Sequence, residues 1–126
     1  MARDPQLLKG VLPMLVLRIL ARQESYGYEL VTRLQAAGLQ DIAAGTVYPI
    51  LSRLEREGLI TSRLVPSTSG PARKYYLLTA AGEDHLENAV AGWHTLSATV
   101  TQVLERPPTA ARVTAAPPTD TTRDQP

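Results

Sequence analysis

The apolar pattern of this chain changes period at Gly58. Before it, in GTVYPILSRLEREGLI (45–60), Val47, Ile50, Leu51 and Leu54 recur at i, i+3, i+4 and i+7. That spacing predicts a helix over 46–57 with one buried face, ended by the glycine. After it, LITSRLV (59–65) and RKYYLL (73–78) read as short strands, joined by the turn-forming run PSTSGP. A helix that stops at a glycine and passes directly into a hairpin leaves few topologies open.

The flanking segments narrow them further. Residues 6–22 carry Leu7, Leu8, Val11, Leu12, Leu15, Val16, Ile19 and Leu20, a wide apolar stripe at helical spacing. Pro13 is expected to kink this helix or to mark its true start. Ser25 is the expected N-cap of a second helix over 26–37, with Leu30, Val31 and Leu34 inward and Gly38 as the stop. In the third helix, Thr46 as N-cap puts Pro49 at the third helical position, where the missing N–H has no intrahelical partner. Thr79 is the expected cap of a long helix over 80–104, with Glu83 and Asp84 near its positive end. The predicted fold is mainly α with a small β-hairpin: a winged helix-turn-helix domain plus one long C-terminal dimerisation helix.

From Arg106 onward the composition shifts. RPPTAARVTAAPPTDTTRDQP holds five of the chain's ten prolines and almost no large apolar residue, which predicts a disordered tail. The expected division is 1–79 for the winged domain, 80–105 for the dimerisation helix and 106–126 for the tail.

The outward face of the third helix presents Thr46, Tyr48, Pro49, Ser52, Arg53 and Arg56. Hydroxyls and guanidinium groups hydrogen-bond base edges or phosphates, and a proline ring offers apolar contact to a thymine methyl. A recognition helix enters the major groove with such residues near its N-terminus. On a lone helix the same face would be read as merely solvated; the winged layout favours DNA. In the hairpin, Arg73 and Lys74 follow the turn, and being adjacent on a strand they point to opposite faces. Ser67, Thr68 and Ser69 at the turn are potential phosphate donors. Tyr76 and Leu78 share the inward parity, and Tyr75 faces out. SYGYEL (25–30) opens the second helix, where a helix N-terminus favours phosphate and Tyr26 and Tyr28 add hydroxyls, or pack.

Other function classes fare poorly. Without cysteine there is no disulfide, thiol nucleophile or thiolate metal site, and the cytoplasm is the expected compartment. The only histidines, His85 and His94, lie about 13 Å apart along one helix, too far to act as a pair. No Gly-rich phosphate loop or HExxH motif appears. His85, His94 and Asp84 have no convincing metal-ligand spacing, so neither an enzyme nor a cofactor is expected. The N-terminal apolar run, broken by Lys9, Pro13 and Arg18, is too short to span a membrane. A net charge of +1 leaves open a winged helix that contacts protein and not DNA.

The blocks LLKGVLPMLVLRIL, SYGYEL, GTVYPILSRLEREGLI and GPARKYYLLTAAG, in this order and spacing, resemble PadR-family transcriptional regulators over roughly residues 7–82. The resemblance implies a winged-helix homodimer on a double-stranded DNA operator, with repression usually relieved by a small molecule. Its DNA contacts map onto Tyr26, Tyr28, Thr46, Tyr48, Pro49, Arg53, Arg73 and Lys74, with Lys9 a weaker phosphate candidate; Ser52 joins them from the helix pattern. The room after the wing fits the short subgroup with one C-terminal helix.

That helix reads as three heptads, with Leu86, Ala89, Trp93, Leu96, Val100 and Val103 at a and d, and Val90 and Leu104 widening the seam. At about 37 Å it is longer than a three-helix domain can cover, and the first helix is the expected partner across a two-fold axis. Regulators of this subgroup can hold flat hydrophobic compounds at the dimer interface, which makes Trp93 the candidate contact for a small hydrophobic or aromatic effector. As plain core, an aromatic at that position would need no ligand.

Overall fold

The computed structural model describes residues 5–107. The elements run α1 (Pro5–Arg22), β1 (Ser25–Tyr26), α2 (Gly27–Ala36), α3 (Ala44–Arg56), β2 (Ile60–Ser67), β3 (Gly70–Leu78) and α4 (Ala80–Glu105). Among the described residues, four helices and a three-stranded antiparallel sheet of order β1–β3–β2 make the predicted winged helix, with β1 an addition to the expected two-stranded hairpin. The chain divides into two compact units, with the boundary inside α4 between His94 and Thr95. The tail beyond Pro107 lies outside the described residues.

The core of the first unit comes from the predicted stripes. Leu12, Val16 and Leu20 of α1, Leu30, Val31 and Leu34 of α2, and Val47, Leu51 and Leu54 of α3 are buried together with Ile60, Tyr76 and Leu86. Leu17, outside the expected stripe, is also fully buried, whereas Leu7 within it is exposed. Both α2 and α3 end in the same device. Gly38 and Gly58 take positive φ, the next residue's N–H returns to Leu34 or Leu54, and the glycine's own N–H bonds Gln35 or Glu55. These are Schellman closures, which need a left-handed residue.

Three local readings are corrected. Ser25 is not a side-chain cap: the N-cap of α2 is Tyr26, and Ser25 pairs with Tyr76 in β1. It is fully buried and accepts a hydrogen bond from Arg33 Nη1, which also donates to the Gln23 carbonyl at 3.1 Å. The guanidinium thereby satisfies backbone at the end of α1. Second, α3 begins at Ala44, so Pro49 is its sixth residue, past the first turn. There a proline forfeits the bond to the Gly45 carbonyl; burial of Val47, Leu51 and Leu54 holds the helix regardless. Third, Pro13 does not mark the start of α1, which runs from Pro5 to Arg22 with Pro13 inside it.

The Thr79 cap stands. Its Oγ1 accepts the Gly82 N–H at 3.0 Å and donates to the Gly58 carbonyl at 2.7 Å, tying the start of α4 to the end of α3. A Cβ on Gly82 would sit 1.9 Å from the Leu59 carbonyl oxygen, so only glycine allows this approach.

Candidate nucleic-acid interface

The outward face of α3 is placed as expected: Thr46, Tyr48, Pro49, Ser52, Arg53 and Arg56 are all exposed. Tyr48 is 42% accessible, and its ring lies over the backbone of Gly27, where a Cβ would stand 2.4 Å from Cε1. While the ring is so seated, the first residue of α2 has no room for a Cβ, and the second helix's N-terminus adjoins α3's outer face. Tyr28 extends this surface and is 65% accessible. Among the described residues, Arg53 has an ion-pair contact to Glu57 at 3.8 Å with both side chains about half exposed, too loose and too solvated to hold it.

The base of the wing is more tightly engaged than the sequence suggests. Tyr26 meets Tyr75 edge-on at 5.3 Å, and the Arg73 guanidinium covers the Tyr26 ring at 4.4 Å. Tyr75, expected outward, is half-buried by this stack. Lys74 donates to Glu55 Oε1 at 3.2 Å and lies 5.4 Å from the Tyr76 ring centre. The other Glu55 oxygen accepts from Ser62 Oγ at 2.7 Å. Arg63 grips Glu24 with two bonds, 2.9 and 2.7 Å, a fork-to-carboxylate geometry.

These bonds set the ionisation of the partners. The Glu24 carboxyl is held below the usual range by the Arg63 hydrogen bond, against a smaller opposing effect of burial. Glu55 is lowered first by Ser62 and then by Lys74. The Lys74 ammonium is raised, chiefly by its bond to Glu55. Glu24, Glu55, Ser62 and Arg63 were not among the candidates from sequence. Their pairings bridge 19 to 39 positions for the ion pairs, and no local pattern announces an ion pair at that range.

At the hairpin tip, Ser67 pairs with Gly70 around Thr68 and Ser69, and a register shift between Val65 and Ser67 marks a bulge. All three hydroxyl residues lie at or beside the turn, as predicted.

A cavity of about 570 Å³ opens between α1 and α3, with Leu8, Leu12, Ile42 and Ile50 on its walls beside Lys9, Arg53 and Arg56. Thr46 and Pro49 line it too, so it shares residues with the outer face of α3. Trp93 does not line it.

The exposed α3, the abutting α2 N-terminus and the hairpin form a winged-helix surface, which by itself does not say what it serves; a family comparison does. The model of the transcriptional regulator PadR-like family matches residues 16–88. The chain belongs to the PadR-like family. Solved PadR-like structures share the fold over about four-fifths of this chain. One from Bacillus cereus is 42% identical, with a TM-score of 0.72 over 79% of this chain and 97% of its own. A Streptococcus transcriptional regulator is 41% identical, with a TM-score of 0.74 over 81% of this chain and 100% of its own. A PadR-family regulator from Eggerthella lenta, also 41% identical, gives 0.74 over 81% and 88%. Among the described residues of this PadR-like chain, no helix is long and apolar enough to cross a membrane.

The apolar seam of α4 splits in two. Leu86 is buried in its own domain's core and Val90 packs against it, so the first turns of the predicted dimer seam are already occupied within the protomer. From Trp93 on, Leu96, Val100, Val103 and Leu104 are exposed.

Proposed function

We propose that this PadR-like regulator binds an operator in double-stranded DNA as a homodimer and represses transcription until a small hydrophobic or aromatic ligand releases it. The observation that carries the reading is the seating of Tyr48 on Gly27. It merges the outer face of α3 and the N-terminus of α2 into one surface that offers hydroxyls, a guanidinium and helix N–H groups. Thr46, Tyr48, Pro49, Ser52 and Arg53 would read the major groove, while Tyr28 and the N-terminus of α2 meet phosphate. Residues 1–79 would serve DNA, and 80–105 the dimer.

Dimerisation is supported by α4. Large apolar side chains exposed at helical spacing mark an interaction surface, and Trp93, Leu96, Val100 and Val103 supply one. A two-fold dimer would present two recognition helices to half-sites one turn apart, about 34–36 Å. For the effector there are two places. Trp93, 43% exposed, would stack on a flat ligand once a second copy covers it. The cavity between α1 and α3 offers a ligand-sized volume within one protomer, and its occupant would compete with DNA for Thr46, Pro49 and Arg53. Quenching of Trp93 fluorescence by a releasing ligand selects the first place; release without quenching selects the second.

A gel-shift titration with the DNA upstream of the protein's own gene, at two salt concentrations, tests the reading. The expected result is a discrete, salt-sensitive shift with one dimer per site. A chain that shows no salt-sensitive affinity for any duplex, in a genome-wide binding selection as well, is instead a winged helix for protein contacts.

A further inference from the structure

The wing strands β2 and β3 contain three basic residues, Arg63, Arg73 and Lys74. All three, though exposed, already have a partner within the chain: Arg63 has Glu24, Arg73 the Tyr26 ring, Lys74 Glu55. The Lys74 engagement differs from the other two because its acceptor sits on the recognition helix itself. Glu55 lies three residues past Ser52 on α3 and reaches both wing strands, taking Ser62 Oγ from β2 and Lys74 Nζ from β3. One carboxylate oxygen serves each strand. Ser62 faces Tyr76 across the ladder, and Lys74 and Tyr76 share a face of β3, so the carboxylate closes a small ring of contacts over the nearly buried Tyr76.

A hydroxyl and an ammonium converging on one pair of anionic oxygens is the donor set that proteins turn toward a DNA phosphate. Here the anion is built in. We infer that Glu55 is a specificity-determining positioning residue: an internal stand-in for phosphate that sets the wing against α3 and withholds Lys74 from the DNA backbone. The inference rests on the DNA-binding reading above.

The physical consequence is selective. Non-specific binding to duplex DNA comes almost wholly from cations that replace condensed counterions. The pair is partly exposed and weak as a bond, but a lysine 3.2 Å from a carboxylate presents no net charge to the duplex and so displaces few counterions, which holds unspecific affinity down. Specific binding depends on geometry at base edges, and a wing fixed beside the recognition helix before DNA arrives favours it. The carboxylate thus widens the ratio between operator and random sequence while adding no contact to either.

The test uses the full-length protein and two duplexes, the operator found by gel shift and a random sequence, each titrated from 50 to 200 mM salt. Glu55→Gln keeps an oxygen for Ser62 and removes the charge. Freed Lys74 should then add one phosphate contact on random DNA, steepening the log–log salt slope by about 0.9, an extra loss of about 3.5-fold across that salt range. Operator binding should tighten less, so the specificity ratio falls. Lys74→Gln in the otherwise unaltered protein should leave the slope where it was, and the double variant Glu55→Gln/Lys74→Gln should restore it. Glu87→Gln, which removes the same charge from α4, should change nothing.

Three results would overturn the inference while leaving the regulator reading intact. The slope could drop by about one on Lys74→Gln alone, which would make Lys74 a phosphate contact. It could stay constant in Glu55→Gln. It could rise equally in Glu87→Gln. Absence of binding to either duplex by the unaltered protein would remove the inference and the regulator reading together. Should Glu55→Gln fail to fold, the single Lys74→Gln slope decides alone.

Discussion

α3 and the second half of α4 carry the same kind of sequence signal and meet opposite fates. In α3, Val47, Leu51 and Leu54 recur at helical spacing and are at most 1% exposed. In α4, Leu96, Val100, Val103 and Leu104 recur at similar spacing and remain 44–77% exposed. Periodicity says which face of a helix is apolar. It does not say what covers that face. For α3 the cover is the rest of its own domain, and the polar face left over is the one available to DNA. For the second half of α4 no cover is found among the described residues, and the proposed second copy would supply it.

The comparison breaks most severely if the apolar face of α4 is given charge. Leu96→Glu should dissolve the proposed dimer, because each substitution would act twice in a two-fold interface. Losing two buried leucines costs about 3–6 kcal/mol, more than a hundredfold in the dimer constant. Light scattering should report a monomer, with helical content and the wing's amide signals kept. A dimer that survives would place the seam elsewhere. Leu51→Ala makes the same attack on α3 and should have the contrasting outcome: a loss of about 2–5 kcal/mol of folding stability in denaturant, read as a lower midpoint and not as a change of mass.

A finer cut separates stability from recognition within the winged domain. Gly27→Ala forces its new Cβ into the Tyr48 ring, the movable end of a flexible side chain, so the ring gives way. Stability should scarcely change, since alanine is the better helix former by up to about 1 kcal/mol. Operator affinity should fall by about 1–3 kcal/mol, the worth of one well-placed contact. Equal affinity with Tyr48 displaced would take that residue out of the DNA surface.

The smallest expected effect is on pH. Glu24 and Glu55 are both held below the usual carboxylate range in the folded chain. Their stabilisation is therefore complete above that range and fades as pH falls through the depressed folded values. The pairs are solvated and contribute little each, so the midpoint of unfolding should decline only gently in acid. The decline should be flatter in Arg63→Gln and Lys74→Gln, which lack the partners. A protein whose stability rises on acidification in that window would contradict the tethers.

Most of the fold was legible because its causes are local. Val47, Leu51 and Leu54 announce the face of α3, Gly38 and Gly58 announce the stops, and Thr79 announces the cap. Where reading failed, a distant partner outweighed a local preference. Ser25 has the side chain of a cap, but a strand 51 positions on at Tyr76 claims its backbone and Arg33 claims its hydroxyl. Pro49 belongs in a first turn by its own chemistry, yet α3 starts at Ala44 and carries the lost hydrogen bond inside a helix that Val47, Leu51 and Leu54 anchor in the core.

The candidate surface divides along the same line. The exposed residues of α3 follow from its period alone, since whatever is not buried on an amphipathic helix is presented. The state of the wing cations does not. Arg73 and Lys74 stand adjacent in the sequence as two charges of equal promise, and only the folded chain shows one resting on Tyr26 and the other held by Glu55. The sequence by itself determined the order of the helices and the hairpin and their apolar faces, because those rest on backbone geometry and burial within a few turns, and its motif blocks pointed to the family. The tertiary structure alone decided which charges remain available to a partner, because an ion pair depends on a few ångströms between residues that the chain keeps far apart.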